Sequence, residues 1–229
     1  MKILEESDLI KNFLTGDHKY KDNPIMIQIG ANEGRYEYAK QDGKDFVFEF
    51  LLENNYWTAI LVEPIPATFQ KLKSNYCNHH NSISFMNCAI TEKIEKRVLY
   101  INGKDGKSSS LLEFQKKEST EKIEVQCINY DLLCNISGIS KVDFIKIDAE
   151  GYDEIIIEHI LCTPQKNTIP KIIFWEKVYN KQSNCEEILK SLDYEVFMTG
   201  LNKLNHYMDR VAIHQSLLSL PEKSGHTHE

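Results

Sequence analysis

Glycine and proline are scarce in this sequence. Ten Gly and six Pro in 229 positions exclude a collagen-like or linker-dominated chain. Positive charge is also in deficit. Lys and Arg number 27 against 34 Asp and Glu, a net charge of −7, which argues against a broad basic face for gripping nucleic acid or an anionic membrane. No apolar run approaches the roughly 20 residues of a membrane span. The segment from Met1 to Asp8 has neither an apolar core nor a small-residue cleavage site, so no signal peptide is expected. Cys77, Cys88, Cys127, Cys134, Cys162 and Cys185 contain no Cys-x-x-Cys pair. They read as buried thiols of a reducing, cytoplasmic setting rather than as disulfides or zinc ligands. What is present is 41% hydrophobic against 27% charged residues, enough to fill and cover one sizeable core. The length suits one domain, with an N-terminal flank over 1–24, a core over 25–214 and a tail over 215–229.

Strand and helix patterns alternate from residue 25 onward. Short β-branched runs at Ile25–Ile29, Thr58–Val62, Ile83–Met86, Val142–Ile147 and Lys171–Phe174 read as buried strands. Helices are expected over Asp45–Asn54, from Pro66 to Tyr76, over 152–161 and over Glu186–Leu192; Pro66 suits a first helical position. Arg97–Ile101 and Ile123–Cys127 interrupt the alternation as a β excursion within about 92–127, near the C-terminal edge of the sheet. Tyr194–Met198 and Arg210–Ile213 close the chain as an antiparallel edge. The pattern predicts an α/β fold with a doubly wound, mostly parallel sheet.

In such sheets ligands bind beyond the carboxyl ends of the strands, so the strand-end residues are the candidates. The first strand ends in Gly30-Ala31-Asn32-Glu33-Gly34; two glycines let a ligand approach the backbone, although such a loop is as often a plain turn. The second ends in Glu63-Pro64, an acid placed to accept from both hydroxyls of a ribose, or simply a solvated carboxylate. The missing third glycine, and the long interval from Gly34 to Glu63, make a dinucleotide dehydrogenase the lesser reading. The third runs into Asn87-Cys88-Ala89, small enough to wall an adenine ring. The fourth ends in Asp148-Ala149-Glu150-Gly151-Tyr152-Asp153. Stability poorly explains two carboxylates at the end of an apolar strand, because each must be desolvated or paired.

Taken together, Ile27–Gly34, Val62–Pro66, Asn87–Ile90 and Val142–Gly151 resemble the FkbM-type family of S-adenosylmethionine-dependent methyltransferases. Ser108–Leu111 and Ile172–Glu176 are weaker family elements. The resemblance covers most of 25–176 and implies a Rossmann-like class I methyltransferase fold, S-adenosylmethionine as cofactor, and O-methylation. It places Gly30, Ala31, Asn32 and Gly34 beside the methionine part, Glu63 and Pro64 at the ribose, Asn87, Cys88 and Ala89 at the adenine, and Ser110 in the cofactor site. Asp148 would lie beside the sulfonium. Gln28 departs from the acidic residue common at its position in class I enzymes; it accepts a hydrogen bond without charge.

Transfer to a hydroxyl requires loss of its proton, and Asp148, with Glu150 second, is the expected base or orienting group. The expected acceptor is a hydroxyl of a sugar, glycan or other small metabolite. An RNA ribose methyltransferase, which would need a basic groove, and a non-catalytic adenosyl-binding module are the alternatives. His159 is expected as a satisfied core histidine and His79-His80 as a polar loop; His206 precedes the last strand, with a place near the substrate mouth as its lesser reading. No metal is assigned to Asp148, Glu150 and Asp153. Residues 92–122 carry eight basic against six acidic residues, and loops within 102–122 are the expected acceptor contacts.

Overall fold

The computed structural model describes residues 2–15, 23–34, 46–102, 108–113, 121–177, 183–201 and 207–218. In chain order the elements are β1 (Lys2–Ile3), α1 (Glu6–Leu9) continuing as a π turn over Ile10–Leu14, β2 (Ile25–Ile29), α2 (Phe46–Glu53), β3 (Thr58–Val62), α3 (Pro66–Asn75), β4 (Ser82–Met86), β5 (Ala89–Ile90), β6 (Glu95–Ile101), β7 (Glu121–Ile128), α4 (Tyr130–Ser137), β8 (Phe144–Ile147), α5 (Asp153–Leu161), a 3-10 turn (Lys166–Thr168), β9 (Ile172–Glu176), α6 (Cys185–Ser191), β10 (Tyr194–Leu201), β11 (Tyr207–His214) and α7 (Gln215–Leu218).

Among the described residues, eight strands form one sheet in the order β1-β10-β11-β9-β8-β2-β3-β4, while β5, β7 and β6 form a separate small sheet. In the large sheet only β11 runs antiparallel, pairing with both β10 and β9, so the fold is the expected doubly wound α/β class. The order reverses between β2 and β8, which places a crevice at their carboxyl ends. Side-chain alternation assigns the two faces. Ile27, Ile29, Ile60, Val62, Ile145, Ile147 and Trp175 pack under α4, α5 and α6. Met26, Ala59, Leu61, Phe144 and Phe174 pack against Leu9, Leu14, Phe46, Val47, Phe50 and Leu72 from the other side. Burial on both faces is why these strands read as continuous apolar runs.

Three expectations change. The edge beyond β10 is β1, from the N-terminal flank, paired in parallel through Lys2 with Phe197 and Ile3 with Met198. The excursion is a sheet of its own that starts at Ala89, three residues past the end of β4 and so ahead of the expected bound at 92. Helix α4 was missing from the sequence reading, although its signals are present. The Asn129 side chain accepts from the Leu132 amide at 2.9 Å, and left-handed Gly138 (φ 65°) stops the helix. All six cysteines are free; Cys77 and Cys162 are exposed, against the expectation of burial, and the other four are buried.

Candidate active site

The crevice opens where β2, β3 and β8 end. Gly30 (φ 76°) turns the chain away from β2, and the amides of Gly30 and Ala31 both donate to the Val62 carbonyl, at 3.0 and 2.9 Å. Asp148 leaves β8 with its amide on the Ile29 carbonyl at 3.0 Å. Three strand ends are thereby tied together, and a cavity of about 250 Å³ lies beyond them. Gly30, Asn32, Glu63, Pro64, Cys88, Ala89, Asp148 and Glu150 line it, as do Ser108, Ser109, Leu111 and Tyr152.

At one end stands Glu63, only 4% exposed. One carboxylate oxygen accepts from the Asn32 amide at 3.0 Å and the other from the Ile65 amide at 2.8 Å. Burial raises its pKa to about 7, outweighing the two amides, and the charge of Asp148 adds to the rise. Each carboxylate oxygen has a second lone pair for a ligand hydroxyl. Beside it, Cys88, Ala89, Ile90 and Leu111 make an apolar wall. Burial pushes the Cys88 thiol up to about 12, so it is no thiolate nucleophile at neutral pH.

At the other end is the turn from Asp148 to Tyr152. Glu150 and Gly151 have φ of 50° and 90°, a conformation that needs outside support at a non-glycine residue. Asp153 supplies it from the first turn of α5, accepting from the Ala149 amide at 3.2 Å and the Gly151 amide at 3.0 Å. Ser110 donates its hydroxyl to the Glu150 carbonyl at 2.8 Å. Tyr152 donates to Glu92 at 2.6 Å and accepts from Arg97 at 2.8 Å, tying the turn to the small sheet. Burial, followed by the charges of Asp148, Glu176 and Asp153, raises the Glu150 carboxyl to about 8. Burial and Asp148 raise Asp153 to about 7. Asp209 rises to about 7, through burial and then Glu176. Lys146 sits 3.6 Å from Asp148.

The structure thus brings Gly30, Asn32, Glu63, Pro64, Cys88, Ala89, Asp148 and Glu150 to one cavity and leaves four expected residues off its described lining. Ala31 is buried in the core beside α2 and α3. A side chain at Gly34 would run into the Tyr76 ring, so that glycine serves packing. Asn87 is exposed and bonds the Glu63 and Pro64 carbonyls at 2.9 and 3.1 Å, bracing the loop. Ser110 acts through the Glu150 backbone. Gln28 is fully buried within β2. His159 is half-buried, and its Nε2 meets no hydrogen-bond partner among the described residues, which corrects its reading as a satisfied core histidine. His79 lies in the expected loop between α3 and β4, where its ring packs on Tyr76 and its Nε2 lies 3.2 Å from the Phe48 carbonyl. His206, the tail from 219 and most of the 102–122 loops lie outside the described residues. The sequence pattern does not mark Tyr152 as a wall residue, nor Glu176 and Asp209, which pair across β9 and β11; the strand-end position of Glu176 carried the available signal. Among the described residues, no group of three or more His, Cys, Asp or Glu is arranged to hold a metal ion.

Apolar walls, a buried carboxylate and an acidic turn suit a ligand with a flat ring, a vicinal diol and a positive charge. A family model described as a methyltransferase FkbM domain matches residues 28–198. The chain belongs to the FkbM methyltransferase family. Its cofactor is S-adenosylmethionine, a ligand of that description. Solved structures are similar to this FkbM domain. The METTL16 methyltransferase domain is 11% identical with a TM-score of 0.51, covering 90% of this chain and 64% of that one. TrmK of M. capricolum, solved with S-adenosyl-homocysteine, is 15% identical with a TM-score of 0.43, covering 86% and 64%. Precorrin-6y C5,15-methyltransferase from Geobacter metallireducens GS-15 is 11% identical with a TM-score of 0.41, covering 85% and 82%. The chain spans less than two thirds of the first two. At these identities the likeness is one of fold alone. No protein of curated function matches the sequence at a significant level. No helix among the described residues is long and apolar enough to cross a membrane.

Proposed function

We propose that this FkbM domain methylates a hydroxyl of a sugar, glycan or other small metabolite, using the cavity between Glu63 and Asp148 as its cofactor site. One observation carries the reading: the buried carboxyl of Glu63 and the carboxyl pair of Asp148 and Glu150 line one cavity. Bound there, S-adenosylmethionine supplies an activated methyl group on a sulfonium. Glu63 would accept from the ribose hydroxyls while its position is held by the Asn32 and Ile65 amides. Cys88, Ala89 and Ile90 would flank the adenine, and Gly30 and Asn32 the methionine part.

The acceptor hydroxyl must lose a proton as it attacks. Glu150, raised to about 8, keeps its own proton at neutral pH and serves as a donor that orients the acceptor. That leaves Asp148, half-exposed and steadied by Lys146, as the base or orienting group. Alignment of nucleophile and methyl group is worth roughly 7–11 kcal/mol in such reactions, and the supports under the Asp148–Tyr152 turn serve that alignment. Burial first, and then the charges of Asp148 and Glu176, raise both Glu150 and Asp209, and the described cavity lining holds no Lys or Arg for the phosphodiester backbone of an RNA acceptor. Carboxyls on the cavity wall also speak against a non-catalytic module.

Incubation with labelled S-adenosylmethionine and a cell extract tests the proposal, with label expected as a methyl ether on a small hydroxylated product. Label confined to RNA would overturn the acceptor class. On the identified product, Asp148→Asn should lower turnover by about 100-fold or more with little loss of cofactor affinity. Unchanged turnover would remove Asp148 from catalysis.

A further inference from the structure

At the opposite edge of the large sheet, where the parallel strands begin, a second cavity of about 550 Å³ is lined by Lys141, Lys166, Asn167, Lys171, His214 and Ser216. The fold assembles these side chains from four separate segments. Lys141 precedes β8, Lys166 and Asn167 form the 3-10 turn, Lys171 directly precedes β9, and His214 ends β11. The frame beneath them is rigid. The His214 amide donates to the Lys171 carbonyl at 2.9 Å, and the Tyr194 hydroxyl donates to the Pro170 carbonyl at 2.5 Å.

The charge here reverses that of the whole chain. Three ammonium groups line the cavity, and the carboxylate of Asp143, whose side chain is 4% exposed, lies beneath two of them. Asp143 lies 3.8 Å from Lys141 and 3.9 Å from Lys171 and accepts the Ile25 amide at 3.0 Å. These distances exceed hydrogen-bond length, so Asp143 draws the two ammoniums in without using up the donors of Lys171. Half of the Lys171 side chain is open to solvent, and Lys166, which is exposed, has no ion-pair partner among the described residues. The Ser216 amide donates to His214 Nδ1 at 3.2 Å. In the neutral ring Nε2 then carries the hydrogen and is a donor. Ile169, Leu192 and Tyr194 complete the wall with apolar surface.

We propose that this pocket binds a phosphorylated small molecule, with the phosphate on the lysines and the organic part against Ile169, Leu192 and Tyr194. Lysines act as point charges that a phosphate dianion satisfies without the fork geometry of arginine. The three terminal oxygens of a phosphate can meet Lys166, Lys171 and His214 together, where a carboxylate has two. The intervening strands of four or five residues put the pocket roughly 15 Å from the methyl-transfer cavity at 3.3 Å per residue. It is therefore a separate site, and its existence does not rest on the proposed methylation.

Calorimetry on the full chain in about 0.15 M NaCl, with phenyl phosphate, inorganic phosphate and an RNA oligonucleotide as probes, tests this. Phenyl phosphate should bind saturably and more tightly than inorganic phosphate. Lys166→Ala and Lys171→Ala should each weaken it about tenfold, while Lys73→Ala, on exposed α3, leaves it unchanged. Thermal melting checks that the variants fold, and Lys166→Ala, in an exposed turn, keeps the test available if Lys171→Ala does not. Absence of saturation, equal weakening by Lys73→Ala, or RNA binding through these lysines without phenyl phosphate binding would each overturn the assignment.

Discussion

Replacing Gly30 with alanine probes the joint between fold and chemistry. A Cβ at Gly30 would stand 1.9 Å from the Asp148 carbonyl oxygen and 2.9 Å from its carbon, more than 1 Å inside ordinary contact. Neither chain can simply retreat. Gly30 donates to Val62, and Asp148 to Ile29, each at 3.0 Å, so separation breaks bonds that close the sheet end. Two costs combine. A non-glycine residue at φ 76° costs about 1–2 kcal/mol, and relief of backbone overlap costs a further 1–3 kcal/mol or so. Gly138 is the internal control, because it has φ 65° and nothing within 4 Å of its added Cβ. Gly138→Ala should therefore lose only the first amount. Urea unfolding of both variants should separate them by about 1–3 kcal/mol, or several degrees in melting temperature at roughly 2–4 °C per kcal/mol for a chain of this size. Calorimetry with S-adenosylmethionine should show weakened binding for Gly30→Ala alone, since relief of the overlap moves the Asp148 backbone. Equal destabilisation of the two variants, or Gly30→Ala with unaltered affinity, would refute the reasoning.

Glu63→Gln should weaken cofactor binding, and its pH dependence carries the diagnosis. With Glu63 at about 7, wild-type affinity should rise by at most about tenfold from pH 6 to pH 8, whereas the Gln variant stays flat; a parallel rise in both would defeat the ribose assignment. Stability of the unliganded chain should move the other way. Glu63, Glu150, Asp153 and Asp209 start from 3.8 or 4.5 when unfolded and rise to between about 7 and 8 when folded. The folded state therefore holds protons that the unfolded chain has released. Their contribution is fully present below about pH 4 and is lost as pH rises to about 8. Urea midpoints should be lower at pH 8 than at pH 5.5, with Glu150→Gln reducing the difference, and the reverse order would exclude this carboxyl cluster as a source of pH dependence.

The strands of the central sheet were legible because both faces are buried, which leaves unbroken β-branched runs such as Ile25–Ile29 and Thr58–Val62 whose ends match the structure. Helix α4 was hidden by its proximity to the strand patterns on either side, despite the Asn129 and Gly138 caps. Strand β1 has two residues, too few for any period, and exists only because β10 offers an edge.

By itself the sequence determined the alternating architecture, the family resemblance and the strand-end positions where chemistry gathers, because hydrophobic period and motif are local properties. Tertiary structure alone decided which strand-end residues share a cavity. Gly34 and Asn87 share motifs with Gly30 and Cys88, and Ser110 belongs to a family element of its own, yet their roles are packing beneath Tyr76, bracing of a loop, and a hydrogen bond to the Glu150 backbone. It also decided the protonation of Glu63, Glu150 and Asp153, since their carboxyl pKa values depend on burial and on neighbours distant in the chain. Gathering Lys141, Lys166 and Lys171 at the far edge has the same origin: parallel strands begin side by side in space however far apart they lie in sequence.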